Sequence, residues 1–299
     1  MMGRPLVNPE AVFYGKFVNA AYAMFKRDPA NLKPEPQPGD IPDPYELVAW
    51  IDMTDFFLDD KERRFYGFIA QSKNADQEFI LAIRGTEGKV EWWDDATACL
   101  VPFKPVHSAG HVHEGFDKIY SSMRIERRRG AGEDLHAVAA ETPFTGSFAD
   151  QLEQLHKRVE GARKTPANQA KGRPDRTYVV TGHSLGSALC TLFVIENKEK
   201  GKFDVNMLCT FASPRVGNTK FARLFDQLPI TSWRIVNTRD VVPKVPLWIP
   251  FFFNYHHVNT AYKFSSAGSV KWSLACQHSM STYLHWLDPN IAVDPECQP

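Results

Sequence analysis

An α/β fold with a mostly parallel central sheet, covered by helices on both faces, is predicted by three features of the sequence. From Thr177 to Thr238, β-branched runs alternate with helical runs: TYVVTG, SALCTLFVIENKEK, VNMLCTFA, NTKFARLFDQL, SWRIVNT. The connections between them are short, which suits strands that return through a covering helix. The 299 residues, 43% apolar and 23% charged, are enough for one large domain with a substantial core.

The elements follow in chain order. The N-terminal stretch MMGRPLVNPEAVFYGKFVNAAYAMF lacks an uninterrupted apolar region after its first basic residue, so it reads as an amphipathic helix and not as a signal peptide. That places the protein in the cytoplasm, or makes the sequence the mature part of a secreted one. Residues 29–44 are dense in proline and predict an irregular surface segment. RFYGFIAQ and EFILAIRG predict neighbouring strands across the turn-like SKNADQ. Residues 129–147 are poorly periodic; Ser147 and Asp150 then predict a capped helix running to about residue 162. KTPANQAKGRPDR is a polar loop. With no internal repeat and no low-complexity tract, residues 1–299 are expected to form a single domain.

Composition excludes several function classes. Lys plus Arg equals Asp plus Glu at 35 each, so there is no basic footprint for nucleic acid. No apolar run approaches a membrane span. The five cysteines are scattered, with no zinc-ligand spacing, and are read as structural with no disulfide required. No metal or cofactor is implied.

The chemistry is expected at Gly182-His183-Ser184-Leu185-Gly186, a G-x-S-x-G sequence between a strand and a helix. A sharp strand-to-helix turn needs small neighbours. It also raises the serine Oγ above the sheet at a helix start, where unpaired N–H groups favour negative charge. The bland alternative is a Gly-Ser turn that only caps the helix. A nucleophilic serine needs a base and an orienting acid, in the chain order Ser, Asp or Glu, His. Glu196 and Glu199 lie along the helix leaving the turn, Asp204 precedes a strand, and Asp226 sits in a helix. Asp240 follows SWRIVN at a strand's carboxyl end, where open α/β sheets keep their sites. Of the later histidines, His256 and His257 fall in the strand-like NYHHVNTAYKF and His285 inside the helical STYLHWL. His278 sits at a loop-to-helix junction and is favoured over His285.

The chain resembles the class 3 (fungal-type) lipases, an α/β-hydrolase family. The resemblance rests on ILAIRGT, VHEGFDKIY, VVTGHSLGSAL, TFASPRVGNTKFA, RIVNTRDVVPKVP and HSMSTYLHWL, in family order across residues 65–287. It implies Ser184 as nucleophile, Asp240 as orienting acid and His278 as base, with an oxyanion hole from Thr86 and the Leu185 N–H. It departs from the family at Ser187, where a second glycine is usual, in a longer link over residues 125–150, and in the missing disulfides of secreted fungal members.

The family places a lid after the Arg-Gly-Thr strand, here residues 87–103, an apolar stretch topped by Glu91, Asp94 and Asp95. Trp92 and Trp93 in it, with Leu247, Trp248 and Phe251 of the apolar run VPLWIPFFFNY, are the expected substrate contacts. The leading expectation is a serine carboxylester hydrolase that cleaves acylglycerols through an acyl-enzyme on Ser184, with a lipid or ester partner met at a lipid–water interface. Phospholipase A1 or feruloyl-type esterase activity would use the same residues. A catalytically silent lipase-like binding protein would be expected to lack one of them.

Overall fold

The computed structural model describes residues 4–54, 56, 62–74, 78–86, 99–129, 142–162, 176–246 and 254–299. Helix α1 (Asn8–Arg27) is the expected N-terminal helix, and β1 (Tyr45–Thr54), β2 (Arg63–Ser72) and β3 (Glu78–Ile83) follow as an antiparallel meander. Next come β4 (Leu100–Pro102), β5 (His111–His113), α2 (Glu114–Ser122), β6 (Arg124–Arg127) and α3 (Phe148–Ala162). The alternating half holds β7 (Thr177–His183), α4 (Leu185–Lys200), β8 (Asp204–Phe211), β9 (Gly217–Asn218), α5 (Thr219–Asp226) and β10 (Thr231–Asn237). The chain then adds β11 (Tyr255–His256), β12 (Ala261–Phe264), α6 (Leu274–His278) and α7 (Met280–Leu287).

Eight strands form the main sheet in the order β12-β10-β8-β7-β3-β2-β1-β6. Every pairing from β3 to β12 is parallel, and only β2 and β6 run against the others. Because side chains alternate along a strand, each strand feeds both faces. On β3, Leu81 and Ile83 meet Phe116, Leu152, Leu189 and Phe193 from α2, α3 and α4, whereas Ile80 and Ala82 meet Phe17 and Met24 from α1. Helix α7 joins α1 on that second face, with Met280, Tyr283 and Leu284 packed near Phe211, Trp233 and Ile235. Each such buried side chain contributes roughly 1.5–3 kcal/mol relative to exposure, so both faces anchor the strand ends that carry the site.

Ser147 and Asp150 cap α3 reciprocally: Ser147 N–H donates to Asp150 Oδ2 (3.1 Å) and Asp150 N–H to Ser147 Oγ (3.4 Å). Other expectations need correction. A second, four-stranded sheet, β11-β9-β5-β4, has strands of two or three residues, too short for a periodic signal. It splits the strand expected over NYHHVNTAYKF, with β11 in the small sheet and β12 in the main one. Within the expected lid of residues 87–103, Leu100–Pro102 pairs with β5 and Phe103 is fully buried against Tyr120 and Phe221. Residues 87–98 lie outside the described residues. The 125–150 link begins as edge strand β6, paired with β1, and ends at the α3 cap; its middle, 130–141, is outside the described residues.

One pair of cysteines departs from the expectation that no disulfide is required. Cys276 and Cys297 form a disulfide, with their Cα atoms 5.2 Å apart. Their spacing matches no motif, and only the fold brings the two segments together. Cys190 and Cys209 are buried free thiols and Cys99 is exposed. Among the described residues, no helix is long and apolar enough to cross a membrane, and no cluster of three His, Cys, Asp or Glu is placed to hold a metal.

Candidate active site

The turn from β7 into α4 holds Ser184 at φ 55° and ψ −125°, a conformation that L-residues rarely adopt. Such backbone costs about 1–3 kcal/mol and persists only where its surroundings enforce it. Here Ser184 N–H donates to the Phe211 carbonyl on β8 (2.9 Å). A Cβ on Gly186 would lie 2.3 Å from the Ile83 carbonyl oxygen, and one on Gly182 would lie 2.7 Å from the Gly186 backbone. Helix α4 therefore starts in direct contact with the end of β3, and only glycine fits. Ser187 fits its extra hydroxyl by placing Oγ 2.7 Å from the Gly182 carbonyl oxygen and 2.9 Å from that of Phe211.

His278, the last residue of α6, lies with Nε2 2.8 Å from Ser184 Oγ. Its Nδ1–H donates to Asp240 Oδ2 (2.7 Å), which leaves Nε2 as the acceptor for the serine proton. Asp240 is buried three residues past β10; its other oxygen accepts from Val242 N–H (3.0 Å). The Tyr283 hydroxyl donates to Oδ2 as well (2.8 Å). His285 lies elsewhere, its Nδ1 donating to the Ile291 carbonyl (2.7 Å). His257 donates to the Pro243 carbonyl (2.7 Å) and His256 to Asn254 Oδ1 (2.9 Å). The structure thus brings Ser184, Asp240 and His278 together and leaves the other three histidines apart.

Three consecutive carbonyls of α6 are held by side chains from other elements. Thr282 Oγ1 donates to Cys276 O (2.7 Å), Asn237 Nδ2 to Gln277 O (2.8 Å), and His183 Nε2 to His278 O (2.9 Å). His183 is the second residue of the G-x-S-x-G sequence. Its Nδ1 accepts from the Tyr22 hydroxyl (2.8 Å), which itself accepts from Gly85 N–H (2.8 Å). Burial, reinforced by the neighbouring His278 ring, holds His183 well below the ordinary imidazole value, so it stays neutral and acts as a fixed connector.

Leu185 opens α4, so its N–H is one of those that a helix start leaves without an intrahelical partner. Thr86 lies just past β3, and the Gly85 before it runs alongside Ser184: a Cβ there would fall 2.7 Å from Ser184 Cβ. Trp92, Trp93, Leu247, Trp248 and Phe251 lie outside the described residues. Sequence reasoning missed Tyr22, His183, Asn237 and Tyr283. For His183 and Tyr283, a position inside the two motifs was the available signal; for Tyr22, on α1, there was none.

The sequence profile of the family described as Lipase (class 3) matches residues 80–249, more than half of the chain. The chain belongs to the class 3 lipase family. Some curated proteins are similar over more of its length. Phospholipase A1-Igamma2, chloroplastic, of Arabidopsis thaliana is 26% identical over 284 residues, covering 81% of this chain and 50% of that one. Phospholipase A1-II 1 of Oryza sativa subsp. indica is 29% identical over 223 residues, covering 69% and 49%. This class 3 lipase chain therefore spans about half the length of the curated relatives it matches. Two solved lipases share its α/β-hydrolase fold. That from Rhizopus microsporus var. chinensis has a TM-score of 0.53 at 22% identity, covering 86% of this chain and 74% of its own. The nonglycosylated LIP2 lipase of Yarrowia lipolytica has a TM-score of 0.55 at 21% identity, covering 85% and 78%.

Proposed function

We propose that this class 3 lipase is a serine carboxylester hydrolase acting on acylglycerols, with Ser184 as nucleophile, His278 as general base and Asp240 as its orienting acid. One observation carries the reading: an unbroken hydrogen-bonded line from Ser184 Oγ through His278 to Asp240, at 2.8 and 2.7 Å, ending on a serine held in a strained turn. Ser184 Oγ attacks the ester carbonyl carbon as His278 Nε2 takes its proton. The negative charge on the carbonyl oxygen is assigned to the N–H groups of Leu185, at the helix start, and Thr86, past the strand end. Collapse returns the proton from His278 to the leaving alcohol and leaves the acyl group on Ser184. Water, activated by the same histidine, then releases the fatty acid.

The similarity to chains named phospholipase A1 supports a second substrate class, the acyl esters of phospholipids, handled by the same residues. A lipid–water interface as the meeting place is supported by two of the most exposed large apolar side chains among the described residues. Trp272 (76% exposed) lies two residues before the helix that carries His278, and Leu274 (52%) opens it. The Arg239 guanidinium, next to Asp240, lies 5.7 Å from the Trp272 ring. An indole with a cationic neighbour suits the boundary between water and lipid. The packing of α1 against α7, from opposite ends of the described chain, supports residues 1–299 as a single domain.

The test is Ser184→Ala. It should leave folding intact and lower hydrolysis of glycerides and p-nitrophenyl esters by on the order of a millionfold, and fluorophosphonate labelling should vanish with it. A folded variant that keeps its activity would overturn the assignment.

A further inference from the structure

We infer that Arg84 and Tyr22 are positioning residues that aim the Thr86 N–H at the oxyanion, an inference that rests on the oxyanion role proposed above for Thr86. Arg84 is 1% exposed, an unusual place for a guanidinium. It stacks on two aromatic rings, 3.6 Å from the Phe25 centroid and 4.1 Å from that of Tyr66. Its Nε and Nη2 both donate to the Phe65 carbonyl, at 3.0 and 2.7 Å, which ties it to β2. The remaining arm, Nη1, donates to the Gly85 carbonyl at 2.7 Å.

That last bond matters because of which peptide it holds. The Gly85 carbonyl and the Thr86 N–H belong to one planar trans amide, so they point in opposite directions. Fixing the carbonyl against the buried guanidinium fixes the direction of the N–H. The preceding amide is held too, since Gly85 N–H donates to the Tyr22 hydroxyl at 2.8 Å. Gly85 is thus clamped on both sides while its Cα runs beside the nucleophile, with no room for a Cβ between Tyr22 Oη and Ser184 Cβ. A planar fork anchored to a second strand and wedged by two rings gives a fixed direction that a lysine cannot, because an ammonium is a single point on a flexible stem. The same Tyr22 hydroxyl donates to His183, whose other nitrogen holds the His278 carbonyl. The Thr86 side of the oxyanion hole and the backbone of the base therefore share one support.

The experiment uses the full chain with Arg84→Lys and Tyr22→Phe. Active sites are titrated with a fluorophosphonate, kcat and KM are measured on p-nitrophenyl butyrate, and binding is measured for an alkyl trifluoromethyl ketone, whose tetrahedral adduct places an oxyanion in the hole. We expect kcat per titrated site to fall by about 10- to 100-fold in each variant, the scale set by misplacing one group or losing one oxyanion donor. KM should change little, and ketone affinity should fall in parallel with kcat/KM. A normal kcat per titrated site, even with a lowered melting temperature, would overturn the proposal. So would a loss of kcat with ketone affinity unchanged. Should Arg84→Lys not fold, Tyr22→Phe decides alone on the same two criteria. Failure of the underlying hydrolase reading would show separately, as wild-type protein that the fluorophosphonate does not label.

Discussion

The Tyr283 hydroxyl donates to Asp240 Oδ2, the same carboxylate oxygen that receives His278 Nδ1–H, while its own oxygen accepts from Asn237 N–H. One hydroxyl therefore connects the end of β10, Asp240 and the helix that follows His278. Burial, with the nearby Asp240 charge, pushes the Tyr283 phenol well above its ordinary value, so it remains a donor across the working pH range.

Tyr283→Phe should keep the ring in its edge-on contact with Phe264 (5.2 Å) and lose only these bonds. The Asn237 N–H would be left buried without that acceptor, at a cost of about 1–3 kcal/mol in stability. Turnover should fall by about 10- to 100-fold as Asp240 loses one of its restraints. Denaturant unfolding and kcat on a soluble ester check the two effects; unchanged values for both would dismiss the role.

His278→Ala should approach Ser184→Ala in severity, since the two groups act as a unit. His285→Ala removes a bond to the Ile291 carbonyl and should alter the melting temperature more than kcat. The reverse ranking, measured on the same substrate, would show that the base is misassigned.

Much of the candidate site was readable in the chain, for physical reasons that differ by residue. Ser184 was legible because a strand and a helix flank two glycines that sterics demand. Asp240 was legible as a candidate because it follows a strand's carboxyl end, where open α/β sheets keep their sites. Tyr22 was not, because its hydroxyl meets His183 across 161 residues of sequence, and nothing local marks a tyrosine inside an amphipathic helix as anything but packing. Arg84 was read as part of a strand motif, with no hint that its guanidinium turns inward. Cys276 and Cys297 pair only because α6 and the chain past α7 are folded together.

The segment closed by that disulfide contains both His278 and Tyr283. Opening it frees the chain ends in the unfolded state, and for a loop of this length the loss is about 3 kcal/mol. Cys297→Ser, or treatment with a dithiol reductant, should lower the thermal midpoint, and ester hydrolysis should be lost at the same lower temperature. A midpoint that does not move would show that the bridge contributes nothing to holding α6.

Acid should destabilise the protein before its surface carboxylates are neutralised. Burial pushes His113 down to about 4 and His156 and His257 to about 3, and His183 well below the usual value. All four fall under the unfolded imidazole value near 6.5, so between the two the unfolded chain binds more protons. Their contribution is complete above about pH 6.5 and is lost as pH drops toward the folded values. Each histidine adds a slope of up to about 1.4 kcal/mol per pH unit. Urea midpoints from pH 7 to pH 4 should show this fall, and His156→Phe should make it shallower. A flat profile over that range would mean that these imidazoles bind protons equally in the folded and unfolded chains, so that burial does not lower them.

Helix α1 touches α7 closely enough that a Cβ on Gly15 would fall 2.6 Å from Leu284 Cδ2. That contact sets the smallest piece of this protein worth producing. A fragment trimmed to residues 80–249 would retain Ser184 and Asp240 but discard His278, Tyr283 and Tyr22. It would also leave bare the sheet face that α1 and α7 cover. Grafting or shuffling between relatives would meet the same obstacle, because the swappable unit has to run from the first helix through α7, with both ends taken from one parent.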